Sequence, residues 1–253
     1  MVILMYRLRL LVRAFQAVVL WRWFRRQFRA PLPLIEGTTV IFAPHPDDET
    51  IGCGGLIATK RERNVPVFIV FLTDGRLCLG ADYPDKVGLA RTRRHEAILA
   101  LSCLGVSEDA LTFLELPDGG LRRLSQEERR SAVGQLANLI VRFAPAEILL
   151  PYRADCHDDH EAANSLVQEA LKQVSLSMQP CLTEYLIWGV WEAPLFRAAV
   201  WRAPKSGTQL PLTKAALRKK RDAIAAYASQ LEILPKRFVQ EHVRPSELYF
   251  KSC

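Results

Sequence analysis

The chain has 253 residues, a length that suits one large domain or a domain with an appendage. Hydrophobic residues make up 49% and charged residues 24%, which is ordinary for a fold with a sizeable core. The net charge of +7 belongs to residues 1–30, which contain seven arginines and no acid; subtracting these seven from 34 leaves 27 basic against 27 acidic residues in 31–253. A neutral body gives poor support for a nucleic-acid-binding face.

The N-terminal segment has the pattern of an amphipathic helix. One apolar face repeats at i, i+3, i+4, i+7 and i+11 and consists of Ala17, Leu20, Trp21, Phe24 and Phe28. The charge-free stretches are far shorter than the ~20 residues that span a bilayer. Because arginines occupy the opposite side, we favour a helix in an anionic membrane interface that faces the cytosol. Packing on the protein's own body or on a second subunit is the alternative.

Two prolines then end this helix. Pro31 and Pro33 fix the backbone and form a short stiff linker. The sequence therefore predicts a basic amphipathic helix with its linker in residues 1–33 and the main domain in residues 34–253.

The main domain alternates strand-like and helix-like segments. Strands are predicted at 38–43, 65–72, 111–116, 146–151 and 182–190, and helices at 50–63, 89–104, 126–143, 161–173 and 212–230. Near-continuous apolar strands that alternate with helices predict an α/β, Rossmann-like fold, a mostly parallel sheet with helices on both faces. Ligands bind such folds beyond the carboxyl ends of the strands.

Six cysteines contain no C-x-x-C pair and no zinc-finger spacing. In a chain of this length they are expected to be reduced thiols in a cytosolic setting. Cys156 lies beside a candidate site, but histidines and carboxylates already suffice there, so we expect it not to bind a metal.

Two loops at predicted strand ends concentrate histidines and carboxylates. The first contains His45, Asp47, Asp48 and Glu49, and the second spans residues 155–160. A single acid there would most often cap a helix or favour its dipole. Zinc, however, takes histidine nitrogen and carboxylate oxygen, and catalytic sites use three protein ligands. Two such loops that can converge on one cleft indicate a metal site.

The same loops resemble the LmbE-like (PIG-L) family of N-acetylglucosaminyl deacetylases. Residues 43–49 resemble its A-H-P-D-D-E motif, and residues 157–160 resemble its H-P-D-H motif. Weaker similarities extend the resemblance over roughly 38–250, at residues 72–75, 93–96, 116–119 and 226–230. The resemblance implies hydrolysis of the acetamide of an N-acetylglucosamine-type conjugate, which releases acetate and a free amino sugar.

The resemblance also implies residue roles. His45, Asp48 and His160 would bind Zn²⁺, with Asp47 as general base. A protonated His157 would stabilise the oxyanion. Two positions match residues that contact the sugar in relatives, Arg93 and Asp118. In addition, Asp159 could orient one of the histidines.

Two departures from the family pattern leave questions open. Asp158 replaces the proline of H-P-D-H, and Asp155 stands where some relatives have a tyrosine, although Tyr152 is near. Two other functions compete: another metal hydrolase such as a phosphoesterase, or a non-catalytic membrane-associated binding protein. A base beside a metal ligand, Asp47, favours the enzyme. The aglycone stays open, with lipid-linked sugars among the candidates.

Overall fold

The computed structural model describes residues 2–192 and 207–251. Within them one sheet is formed by β1 (Ala30–Pro31), β2 (Thr39–Ala43), β3 (Val67–Thr73), β4 (Leu111–Leu116), β5 (Glu147–Pro151), β6 (Cys181–Tyr185), β7 (Gly207–Pro211) and β8 (Ser246–Lys251). The helices are α1 (Val2–Gln27), α2 (Asp48–Glu62), α3 (Lys86–Cys103), α4 (Gln126–Phe143), α5 (Asp158–Gln173), α6 (Gly189–Glu192), α7 (Lys214–Ala226), α8 (Ala228–Leu231) and α9 (Lys236–His242).

The strand order is β1-β7-β8-β6-β5-β2-β3-β4. Strands β6, β5, β2, β3 and β4 are parallel, whereas β8 runs antiparallel to β6 and β7. The chain moves from β2 towards β4 on one side and then returns to place β5 on the other side of β2. The switch point of the sheet therefore lies between β2 and β5, where a ligand is expected.

Alternation along the central strands divides the core into two layers. Ile41 and Ile69 belong to the layer with residues of α2 and α3, whereas Val40 and Val70 belong to the layer with α4 and α5. Because successive side chains of a strand point to opposite faces, two helical layers can cover one sheet. This confirms the predicted Rossmann-like α/β fold.

The predicted elements differ from the structure mainly at the C-terminal end. The prediction for α4 is correct at both ends, and β4 likewise. The predicted helix 212–230 is divided into α7 and α8, and the predicted strand 182–190 ends at Tyr185 and gives way to α6. β7, β8 and α9 were not predicted.

The apolar face of α1 packs against the protein's own body. Ala17, Leu20, Trp21, Phe24 and Phe28 are each at most 4% exposed. Four of these side chains form a core cluster with others from the C-terminal half, namely Tyr152, Leu186, Val190, Leu248 and Phe250. At Gly207, a Cβ would lie 1.9 Å from the Phe28 ring, so glycine permits this approach. The assignment of this face to a membrane is therefore wrong, and self-packing is what occurs.

The cysteines correct one further expectation. Cys181 is disulfide-bonded. The prediction that all six cysteines are reduced is thus wrong at this position, and the argument for a reducing compartment is weakened. No helix within 2–192 and 207–251 is long and apolar enough to cross a bilayer.

Candidate active site

The two ligand-rich loops meet at the switch point. Loop 44–47 follows β2 and leads into α2, and loop 152–157 follows β5 and leads into α5. Since β2 and β5 are parallel neighbours, their carboxyl ends lie at the same edge of the sheet. The predicted convergence of the two loops is observed.

Three side chains from these loops form a compact group that could hold a metal ion. One ligand atom each from His45, Asp48 and His160 lies within 4.8 Å of the others. Asp48 Oδ2 is 3.0 Å from His45 Nδ1 and 3.2 Å from His160 Nε2. His160 is fully buried, and its Nε2 has no hydrogen-bond partner of acceptable geometry. A buried nitrogen without such a partner fits a cation at this point.

The charges of the group fit a cation as well. Burial works to lower the pKa of His160, but the charge of Asp48 and a hydrogen bond to Asp155 raise it to about 9. Burial also opposes ionisation of Asp48, yet the two histidines hold its pKa well below the usual range. Binding of a metal ion by these residues would therefore displace protons from the histidines.

Two carboxylates that lie beyond the three candidate ligands orient the ring of His45. His45 Nε2 lies 3.2 Å from Asp159 Oδ2 and 3.3 Å from Asp118 Oδ1. The other nitrogen of His45 faces Asp48, so we interpret these two carboxylates as acceptors for the His45 ring and not as a second metal site. The expected placement of Asp159 beside a histidine is observed.

Asp155 has an orienting position that the sequence did not reveal. Its Oδ2 lies 2.8 Å from His160 Nδ1, and it accepts hydrogen bonds from the backbone N–H groups of Ile187, Trp188 and Gly189. It therefore fixes the ring of His160 and ties the β6–α6 turn to it. The motif suggested only that Asp155 replaces a tyrosine, because its distant backbone partners leave no signal in the sequence.

Asp47 lies beside this group of candidate metal ligands, and its own backbone is strained. Its φ is 149° and its ψ is −27°, a conformation that non-glycine residues rarely adopt. Burial raises the pKa of Asp47 to about 7, against the opposing charge of Arg93. A carboxyl group that titrates near neutral pH suits proton transfer.

The guanidinium group of Arg93 holds the first loop in place. Its Nη2 lies 3.2 Å from Asp47 Oδ1 and donates to Pro46 O, and its Nη1 donates to Gly75 O. Gly75 has a φ of 66°, and a Cβ there would lie 2.0 Å from the guanidinium, so glycine is required. Arg93 lines the cavity, but these contacts occupy its terminal nitrogens, and contact with a sugar stays a prediction.

Two buried side chains, Glu49 and Tyr227, hold the backbone of Asp47 in place. Glu49 is fully buried, and its Oε2 accepts the Asp47 N–H at 3.2 Å. Its Oε1 accepts the Tyr227 hydroxyl at 2.5 Å, and Thr50 donates to the same oxygen. This pair connects the 226–230 segment, which is remote in sequence, to the first loop.

We expect Tyr227→Phe to lower kcat by about tenfold while KM and bound metal change little. Loss of the hydroxyl leaves Glu49 without one partner and relaxes the strained backbone at Asp47. The matched control is Tyr249→Phe, since Tyr249 is also fully buried and donates to a carboxylate, Glu247, away from the cavity. Equal kcat losses in the two variants would contradict a role specific to the site.

His157 borders the cavity. Burial and the charges of His160 and His45 lower its pKa to about 4, which favours the neutral ring. The role that the resemblance gives to a protonated His157 therefore stays a prediction. A neutral ring can still donate one N–H to an oxyanion.

A cavity of about 380 Å³ opens beside these residues, a size typical of small-ligand sites. The polar side contains the carboxylates and histidines together with Asp118, which accepts the Leu77 N–H. An apolar wall from later in the chain faces them and consists of Ile187, Trp188, Ile233, Leu234, Pro235 and Phe238. Cys156 is exposed and belongs to neither group of candidate metal ligands among the described residues.

The fold and the site together define a Rossmann-like α/β protein with a group of two histidines and one carboxylate that could hold a metal ion. Residues 40–171, about half of the chain, match the family model described as PIG-L, GlcNAc-PI de-N-acetylase. The chain belongs to this family, as the resemblance implied.

Relatives of known name agree with this assignment. A probable N-acetyl-alpha-D-glucosaminyl L-malate deacetylase 2 of Bacillus anthracis is 30% identical over 57% of this chain, but the match spans only 64% of that relative. A 1D-myo-inositol 2-acetamido-2-deoxy-alpha-D-glucopyranoside deacetylase of Rhodococcus jostii is 26% identical over 76% of this chain and 80% of its own length.

A solved structure shows that the fold alone does not fix the reaction. The 4-carboxy-2-hydroxymuconate hydratase GalB of Pseudomonas putida superposes with a TM-score of 0.63 at 21% identity, covering 82% of this chain and 83% of GalB. Only the side chains of the site can therefore indicate the reaction.

Proposed function

We propose that this protein is a zinc-dependent de-N-acetylase that hydrolyses the acetamide of an N-acetylglucosamine-type sugar conjugate. The observation that carries the proposal is the His45, Asp48 and His160 group with Asp47 beside it, in a cavity of small-ligand size. The family match and the two named deacetylase relatives support the same reaction.

His45, Asp48 and His160 would hold the zinc ion. Two imidazoles and one carboxylate are a donor set that zinc prefers over the hard cations Mg²⁺ and Ca²⁺. Zinc supplies a positive charge that polarises the acetamide carbonyl and lowers the pKa of water to about 7. Asp155 and Asp159 keep the two rings in the orientation that this binding requires.

Asp47 is assigned the proton transfers. As a carboxylate it accepts a proton from the water that attacks the acetyl carbon, and it then returns this proton to the departing amine. His157 donates a hydrogen bond to the acetyl oxygen, where negative charge develops. Acetate and a free amino sugar leave, so all atoms of substrate and water are accounted for.

Substrate contact is assigned to the cavity lining. Asp118 keeps a pKa of about 2, because hydrogen bonding to His45 and nearby positive charge outweigh the effect of burial. It is therefore an anion that can accept hydrogen bonds from sugar hydroxyl groups. Arg93 could reach a sugar only by giving up a present contact. The names of the two relatives describe substrates in which the sugar is linked to malate or to inositol. The residues that line the cavity do not select either aglycone.

A phosphoesterase with the same ligands is the main rival. Two-metal phosphoesterases need bridging carboxylates, and the second group of His45, Asp118 and Asp159 shares its histidine with the first. The acetamide reaction needs one metal site and one base, and the proposed ligand group with Asp47 would be sufficient for both.

We expect removal of metal by a chelator to abolish acetate release and added Zn²⁺ to restore it. Mg²⁺ should not restore it, because it prefers oxygen ligands in octahedral geometry. Metal content measured in the same samples is the control. Full turnover by protein shown to contain no metal would contradict the zinc assignment.

Membrane association is a separate part of the proposal. The concentration of positive charge in residues 1–30 supports contact with an anionic lipid surface, each arginine contributing about 1 kcal/mol. A cytosolic side of the membrane, and a lipid-linked substrate, stay predictions. Because Trp21, Phe24 and Phe28 are buried, any such contact requires a different face of α1.

A further inference from the structure

The exposed face of α1 carries an apolar stripe. Met5, Leu8, Leu11, Val12 and Phe15 are 49% to 68% exposed. Single exposed apolar side chains need no explanation, but five on one face of one helix form a patch that usually has a partner. The stripe lies opposite the face that enters the core, since Ala17, Leu20 and Phe24 are buried.

A basic cluster continues the same face towards the C-terminal end of α1. Arg22 stands seven residues after Phe15, two helical turns further on, and Arg26 stands four after Arg22. Arg25 and Arg29 are neighbours of these two, and all four are exposed. Within residues 2–192 and 207–251, none of the four forms an ion pair with an acidic residue, whereas Arg13 on the other side pairs with Glu192.

We infer that the apolar stripe and the basic cluster together dock the protein on an anionic lipid leaflet. This deepens the proposed membrane association by naming the surface that makes the contact. From Met5 to Phe15 the helix rises about 15 Å, which is about half the thickness of the ~30 Å hydrocarbon core of a bilayer. The N-terminal half therefore inserts obliquely into one leaflet, and the arginines stay at the level of the phosphates.

The order of apolar and basic residues favours a leaflet over a protein partner. A leaflet presents acyl chains and, next to them, a layer of negative phosphate, which matches the stripe followed by the cluster. A second copy of this chain would bring a further unpaired set of arginines to the contact, and like charges repel. Charge complementarity thus selects the lipid.

α1 also connects the docking face to elements that line the cavity. Its buried face packs on α6 and α9. Trp188, directly before α6, and Phe238, within α9, line the cavity.

The test uses the full chain, because the other face of α1 belongs to the core and its removal would expose it. Co-sedimentation with vesicles compares phosphatidylcholine alone with a mixture that contains phosphatidylglycerol. The stripe variant is Leu8→Ser/Leu11→Ser/Phe15→Ser, and its matched control, Leu99→Ser/Val141→Ser/Met178→Ser, alters three exposed apolar residues elsewhere.

We expect the wild type to bind the anionic vesicles and the stripe variant to bind at least tenfold more weakly, with the control unchanged. Arg22→Gln/Arg25→Gln/Arg26→Gln should bind on the order of fivefold more weakly per arginine and lose most of the salt dependence. Unchanged metal content in every variant shows that the site is intact.

Three results would overturn the inference in different ways. No binding by the wild type would remove the membrane association itself, whereas equal binding by wild type and stripe variant would leave the association and contradict this face. Self-association of the wild type that the stripe variant loses, without vesicle binding, would assign the stripe to a second copy. None of these outcomes affects the deacetylase proposal, which a soluble conjugate tests separately.

Discussion

We expect Asp47→Asn to lower kcat by about 10²–10⁴-fold, which corresponds to ~3–5 kcal/mol of transition-state stabilisation. The amide keeps the shape of the side chain but cannot accept the proton of the attacking water. KM and bound metal should change little, because Asp47 is not among the three candidate ligands. Steady-state acetate release and metal analysis of the same preparation measure both effects.

The pH profile should change with the same substitution. Burial raises the pKa of Asp47 to about 7, so the active carboxylate forms as pH rises through this range. Wild-type kcat is therefore expected to increase about tenfold per pH unit on the acidic side and then level. A bound cation stabilises the carboxylate and shifts this limb to lower pH. In Asp47→Asn, kcat should no longer rise with pH on the acidic side.

A nearby acid provides the control for Asp47. Asp158 is the first residue of α5, is exposed, and pairs with Arg122 on the surface. Asp158→Asn should keep kcat within about twofold of wild type, because exposed ion pairs contribute little. A near-normal kcat for Asp47→Asn, or equal losses in both variants, would require a different base.

We expect His160→Gln and Asp48→Asn to lose both bound metal and activity. Each removes a charged or strongly donating ligand from a buried group, and the remaining two ligands hold zinc far more weakly. Metal stoichiometry should fall well below one per chain after dialysis, and turnover should fall at least 10³-fold, since zinc serves both carbonyl and water.

His95→Gln is the matched control for the histidine substitution. His95 is exposed on α3 and belongs to neither candidate metal group among the described residues. It should keep full metal content and full turnover. Stoichiometric zinc in both His160→Gln and Asp48→Asn would contradict the ligand assignment.

The central sheet could be predicted well from the sequence because its buried strands consist of apolar residues. The run at 38–43 is apolar and β-branched, and β2 is buried at every residue. A strand covered on both faces needs no alternation, so an apolar run with polar ends is sufficient. The positions of His45 and His160 then followed from strand ends, since parallel strands gather their following loops at one edge.

The unpredicted strands lack such a signal. β7 (Gly207–Pro211) contains glycine, proline and polar residues, and β8 contains Ser246 and Glu247. Glu247 is buried because it accepts from Lys220 and from the backbone of α2. Long-range pairing of this kind makes a polar strand stable but leaves no trace in the local pattern.

The N-terminal helix shows the limit of periodicity. The face of Trp21, Phe24 and Phe28 was correctly predicted as apolar, but a pattern does not state what covers it. Most of the partners belong to β8, the β6–α6 turn and α6, which lie more than 150 residues away in sequence. Similarly, the spacing of Asp155 and His160 gave no indication that the carboxylate receives three backbone N–H groups.

The most direct test of the central claim is the release of acetate from a panel of N-acetylglucosamine conjugates by the purified, zinc-loaded protein. Acetate and new primary amine should appear in equal amounts for at least one conjugate, and Asp47→Asn should release neither at a comparable rate. Equal amounts are required because hydrolysis of one acetamide yields one of each. Release of phosphate, or a reaction that forms no amine, would contradict a de-N-acetylase.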